Sequence, residues 1–279
     1  MDIKKIFEIY TGLYAVQLAT FSNSFAHDNY VITSNLAEDY IMSVPYNKVN
    51  LKSLFNQEFK VINLLNKKKI DTSTIFFDKD SGIRISKYIG DISSQKDLVE
   101  NYIPFIKCLR TFHKLECHNT GIQEFSPIQY YEYIKEKVEK INLDKKIEES
   151  ILEKAKIAYE KCEEKVLCHN NLSMHNIIKH NDEYVFTGLA LVGLSDPLYD
   201  FANFFFKSKI TNKPVVEKFL KRYFGNSYTD DHYDYLRAYL NLAILIYAVW
   251  NQYLAEVNET TYEKDKSEKL YNQLKDYRY

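Results

Sequence analysis

The chain has 279 residues, 37 Lys and Arg against 38 Asp and Glu, and 46 % hydrophobic residues. That length supports one large or two modest domains with a substantial core. The near-zero net charge gives no electrostatic case for nucleic acid or an anionic membrane as the main partner, and the longest apolar run, residues 242–250, falls far short of the roughly 20 residues that span a bilayer.

The first ten residues place an acid inside what would be the apolar stretch of an export signal, so export is not expected. β-type runs follow at 14–21, 30–33, 40–44, 74–77 and 83–87, interrupted by one helical stretch at 51–66 with Leu54, Phe55, Val61, Ile62 and Leu65 at helical spacing. Gly90-Asp91 then breaks the pattern. Beyond it, apolar periodicity predicts helices over 95–117, 128–141, 147–162, 198–207, 214–223, 230–257 and 262–276. Ser126-Pro127 supplies an N-cap with Pro at the first helical position. Two short β-like pieces, 175–178 and 183–187, stand on either side of a polar turn at residues 180–182. The reading is therefore α+β, with a β-rich N-lobe over 1–90 and a helical C-lobe over 91–279.

Four cysteines show no Cys-x-x-Cys spacing, which reads as reduced thiols in the cytoplasm. Only seven glycines occur, and none lies between Gly12 and Gly82, where a loop cradling a nucleotide would be expected. Gly188 and Gly193 have P-loop separation, but Leu194-Ser195 follows in place of Lys-Ser/Thr.

The densest signal is Cys168-His-Asn-Asn-Leu-Ser-Met-His-Asn176, read with Tyr184-Val-Phe-Thr-Gly-Leu-Ala-Leu-Val-Gly-Leu-Ser-Asp-Pro-Leu-Tyr-Asp200. A kinase-type phosphotransferase needs an Asp two residues after the His to orient or deprotonate the acceptor hydroxyl, an Asn five residues further, and a downstream Asp for magnesium. Here His169 and Asn176 keep the spacing, the base position is Asn171, and no acid follows on the strand before Asp196.

These blocks resemble the choline/ethanolamine kinase family of the aminoglycoside-phosphotransferase-like group, whose loop reads Cys/His-His-Asn-Asp-Leu-x-x-x-Asn. Its next block reads Ile-Asp-Trp-Glu-Tyr-x-Gly-x-x-Asp-Pro-x-x-Asp-Leu-Ala. Aligned on Gly193, Asp196-Pro197 and Asp200-Phe-Ala202, the family's metal Asp falls on Gly188, its Trp on Leu189 and its Glu on Ala190. The resemblance runs nearly end to end. Phe77 to Ile89 looks like the last N-lobe strands and hinge, and Cys108 to His113 like the Leu-x-x-Leu-His helix. Tyr247 to Tyr253 and the closing helix look like the Trp-x-x-Trp region.

The resemblance implies a bilobal protein-kinase-like fold and ATP and Mg²⁺ as cofactors. It further implies that Asp200 and His169 hold the loop, and that Tyr247, Trp250 and Tyr253 box a small cation such as choline by cation–π attraction. The N-lobe departs as well. Asn23 to Tyr30 replaces the Gly-Gly-x-Thr-Asn-x-x-Tyr phosphate loop. Ser43 replaces the phosphate-facing cation, and Glu58 matches the helix acid that would pair with it. Adenine is left the backbone of Lys87, Tyr88 and Ile89. The expectation is a choline-kinase-like chain with phosphotransfer impaired or absent and nucleotide binding weak or lost. The alternatives are an active or slow kinase of a small amino alcohol, with an acid such as Asp196 brought in, and a non-catalytic ligand-binding or scaffold protein.

Overall fold

A computed structural model describes residues 2–23, 27–45, 52–71, 73–180 and 183–275, the side chains of residues 22, 23, 52 and 53 excepted. Asp2 caps α1 (Ile3–Thr11) by accepting from the Lys5 N–H, and Gly12 ends it in the left-handed conformation. Strands β1 (Ala15–Asn23), β2 (His27–Ser34), β3 (Asp39–Pro45), β4 (Thr74–Phe77) and β5 (Arg84–Lys87) form one antiparallel sheet in the order β1-β2-β3-β5-β4. Helix α2 (Lys52–Lys67) lies between β3 and β4 in sequence. The five expected strands and the one long helix are present. The sequence reading missed α1, whose Phe7 joins Ile32, Tyr40, Met42, Val44, Ile83 and Ile85 in a buried core.

The remaining helices are α3 (Gln95–Glu100), α4 (Tyr102–His113), α5 (Pro127–Lys135), α6 (Lys145–Lys161), α7 (Pro197–Lys207), α8 (Lys213–Phe224), α9 (Asp231–Asn258) and α10 (Thr261–Lys275). The single helix expected over 95–117 is broken in two at Asn101, which ends α3 and begins α4. Two small antiparallel pairs complete the chain. β6 (Val166–Cys168) pairs with β9 (Gly193–Ser195), and β7 (Ile177–His180) with β8 (Glu183–Phe186). A 3-10 turn at Met174–Asn176 takes up the start of the strand expected at 175–178.

Two compact units result. The first gathers residues 1–93, 116–123 and 175–192, so the β7–β8 hairpin folds with the N-terminal sheet rather than with the helices. The Ser93 N–H donates to the Ile177 carbonyl, and Ile92 bridges Ile178. The second unit holds residues 94–115, 124–174 and 193–279. Its core is aromatic and helical: Phe105, Phe204, Phe205 and Phe219 pack ring on ring, and α7 is buried from Pro197 to Phe205. Among the described residues no helix is long and apolar enough to cross a membrane.

Candidate active site

Helix α7 organises the loop that follows β6. Asp196 caps its start, accepting from the Leu198 N–H at 2.8 Å and from the Tyr239 hydroxyl at 2.9 Å. Burial pushes its carboxyl up to about 6. Both oxygens are thus engaged inside the helical unit, which does not suit Asp196 as a replacement catalytic acid. In the first turn, Asp200 accepts from the backbone N–H groups of His169 at 2.7 Å and Asn170 at 2.6 Å, and from His113 Nε2 at 3.0 Å. The other imidazole nitrogen of His113 meets the Tyr223 hydroxyl at 2.6 Å. Asn170 takes a φ of +60°, a left-handed conformation that Asn tolerates better than most side chains.

His169 is fully buried, and its Nδ1 accepts from the Asn171 N–H at 3.2 Å. That nitrogen shapes the loop and is not open to a substrate proton. His113, Cys168 and Asp200 are the only group of three His, Cys, Asp or Glu among the described residues whose ligand atoms cluster closely. All three are buried in hydrogen bonds, Cys168 donating to the Ser195 carbonyl, so the cluster reads as loop anchorage.

Both ends of α7 grip the loop. At the far end the Met174 N–H donates to Ser208 Oγ at 3.1 Å, and Lys207 Nζ donates to the side-chain oxygen of Asn171. Asn171, at the position expected for the base, is buried, and its side-chain oxygen is already held by Lys207. Burial pushes Lys207 down to about 7, with Lys266 adding to the shift and Asp200 opposing it.

Gly188, on which the expected metal acid aligns, belongs to the first unit. Gly188 has a φ of +73°, and a Cβ built on it would stand 2.9 Å from Asn176 Oδ1. Asn176 also accepts the Thr187 N–H on its carbonyl at 2.9 Å. The Asn176 amide therefore crowds the space that a side chain at position 188 would need. Ala190 lies in a buried apolar run from Leu189 to Val192 and is 4 % exposed.

The N-terminal unit holds a polar cluster that the sequence reading did not find. Ser43 on β3 stands in register with Asn29 on β2 and Arg84 on β5. Ser43 Oγ donates to Asn29 Oδ1 at 2.7 Å, while Arg84 Nη1 reaches Glu58 Oε1 at 3.0 Å. The acid on α2 is therefore not left alone by the serine at position 43, because its cation comes from the neighbouring strand. Burial pushes the Glu58 carboxyl up, and Arg84 opposes that shift. His27, also buried, is held down to about 3, by burial first and by Arg84 second. The clue in the sequence was an arginine on a short strand expected to lie in the sheet.

Of the expected adenine contacts, Lys87 N–H donates to the Ser73 carbonyl and Tyr88 N–H to the Asp39 carbonyl, each at 2.9 Å. The Ile89 carbonyl accepts from His180 Nδ1 at 2.7 Å. These three backbone groups are engaged within the unit. Residues 24–26 of the expected phosphate-loop replacement lie outside the described residues.

On α9, Trp250 is 3 % exposed and packs at 5.7 Å from the half-buried Tyr253. Tyr247 is engaged differently. Phe206 meets its ring edge-on at 5.8 Å, Lys207 Nζ lies 5.2 Å from the ring centre, and Lys266 Nζ lies 4.6 Å from it. Lys266 also donates to the Tyr247 hydroxyl at 2.6 Å.

A five-stranded antiparallel sheet with one long helix, followed by a helical unit whose buried Asp anchors a His-Asn-Asn loop, defines a protein-kinase-like fold. No family model and no curated relative matches the sequence. Solved structures do match the fold. The choline kinase LicA from Streptococcus pneumoniae aligns with a TM-score of 0.77 at 18 % identity, over 99 % of this chain and 100 % of that one. A choline/ethanolamine kinase family protein from Mesorhizobium loti aligns at 0.73 and 14 % identity, over 93 % and 87 %. Aminoglycoside 2'-phosphotransferase-IIIa in its GDP complex aligns at 0.72 and 12 % identity, over 98 % and 99 %. The chain has the fold that these phosphotransferases share.

Proposed function

We propose that this chain is a choline/ethanolamine kinase-like protein of the aminoglycoside phosphotransferase group in which phosphoryl transfer is impaired or absent. The observation that carries the reading is Asn171, a neutral carboxamide at the base position with its oxygen held by Lys207. It cannot take the proton of an acceptor hydroxyl, and loss of a general base typically lowers a rate by about 10²–10⁴-fold. Gly188 adds a second deficit. Magnesium prefers carboxylates and water, and the two metal positions offer only the Asn176 amide, so the residues present do not fit the ion. Without it, charge on the transferring phosphoryl group goes unstabilised.

ATP is expected to bind weakly, with Arg84 a largely buried cation of the N-terminal sheet. Choline is the acceptor that the likeness to LicA suggests. Its boxing is opposed by two lysine ammonium groups already against Tyr247. The four free cysteines suit the cytoplasm, where ATP is also found.

The test is phosphorylation of choline, ethanolamine and an aminoglycoside with ATP and Mg²⁺. Turnover far below the roughly 1–100 s⁻¹ of ordinary kinases is expected. A rate within that range would replace this reading with the active-kinase one.

A further inference from the structure

Lys207 ends α7 and Lys266 lies on α10, yet both ammonium groups rest against the ring of Tyr247. Both are half-buried, and among the described residues neither makes a salt bridge. Withdrawing a cation from water is costly unless an anion or several hydrogen bonds compensate. Two such cations on one ring also repel each other. What they meet is the Asn171 amide oxygen, the Tyr247 hydroxyl and the π faces of Tyr247 and, for Lys266, Tyr262. That set favours positive charge only weakly compared with a carboxylate or phosphate. Among the described residues no carboxylate pairs with either lysine, and Asp200, whose charge opposes the shift of Lys207, is already held by His113 and two backbone N–H groups.

We propose that Lys207, Lys266 and Tyr247 form a binding site for the oxyanion group of a small molecule, a phosphate or a carboxylate, rather than for a quaternary ammonium. Tyr247 accepts from Lys266 and so keeps its own hydroxyl proton to donate. Lys207 uses one of its three N–H bonds on Asn171 and has others to offer. An anion between the two lysines would remove their mutual repulsion and keep Lys207 charged. The C-terminal end of α7 beneath Lys207 already favours a cation there. The inference deepens the reading above, on which it rests for taking this face as the acceptor side.

The test is calorimetric titration of the full chain, without nucleotide, with sodium phosphate, sodium acetate and choline chloride, using sodium chloride as the control. Omitting nucleotide keeps the outcome separate from the turnover assay. Saturable binding of phosphate or acetate is expected, with phosphate binding alone identifying a phosphoryl ligand and acetate binding a carboxylate one. Lys207→Met and Lys266→Met should each weaken binding at least about tenfold, the loss of a single charge-assisted contact. Lys207→Arg should restore most of it. Lys266 lies on a different helix, α10, so its variant carries the test if Lys207→Met does not fold. The proposal is overturned if neither anion binds, if both lysine variants bind as the unsubstituted chain does, or if choline binds more tightly than either anion.

Discussion

Asn176 Oδ1 lies 2.9 Å from the point where a Cβ on Gly188 would stand, and the Gly188 backbone is left-handed at φ +73°. Any side chain placed at position 188 would therefore have to displace its own neighbour.

Restoring the acids one at a time should accomplish little. Asn171→Asp places a carboxylate against Lys207, so it becomes half of an ion pair instead of a free base. Gly188→Asp must push the Asn176 amide aside and hold a left-handed conformation, at a cost of about 1–2 kcal/mol. We expect no measurable choline phosphorylation from either single variant. The double variant should exceed the product of their separate effects, as expected of a base and a metal ligand in the kinase-type reaction proposed above. Rate measurements on the three variants in one assay decide it, and a large gain from Asn171→Asp alone would contradict the lysine-blocked site.

How far the sequence carried the architecture depended on whether the signal was local. Alternation on the strands, spacing on the long helices and the cap at Ser126-Pro127 all act within a few residues, and those elements are present. The nine-residue α1 was too short for its pattern to stand out from the following strand. Arg84 became meaningful only through the β3–β5 register, which sets it opposite Ser43. Lys207 carries no local signal in the sequence. Its role depends on a loop 36 residues away in sequence and on a lysine of α10, which no local pattern reports.

The Arg84–Glu58 pair should be a structural liability when halved. Glu58 is 1 % exposed, so Arg84→Met leaves a buried carboxylate without its counter-ion. The expected loss is about 3–5 kcal/mol of unfolding free energy. Adding Glu58→Gln should recover most of it, since the remaining groups are neutral. Urea denaturation of both variants checks this, and equal losses in the single and double variants would mean that the pair is not the cause.

Asp196 gives a pH signature. Its folded value of about 6 lies above the ordinary 3.8, because burial disfavours the charged form. The folded state therefore binds the extra proton between these values. The group's contribution to stability is complete below about pH 4 and is lost as pH rises through about 6. A shift of about two units corresponds to roughly 3 kcal/mol. Asp196→Asn keeps a capping side chain and removes the titration. Relative to the unsubstituted chain, its stability should improve as pH rises from about 4 to 7, read by urea midpoints across that range. A pH-independent difference between the two proteins would count against a buried, titrating Asp196.

Nucleotide binding should be weak and nearly indifferent to magnesium. Binding of the metal complex depends on carboxylates that hold the ion against the phosphates, and position 188 has none to give. Arg84, a cation of the N-terminal sheet proposed to meet the phosphates, is already shared with Glu58. Calorimetry with ATP should accordingly give similar weak affinities with magnesium and with a chelator. Arg84→Gln should lower both together, whereas Gly188→Asp should make the affinity magnesium-dependent. Tight ATP binding by the unsubstituted chain, strengthened strongly by magnesium, would show that other residues hold the ion and that phosphotransfer has been underestimated.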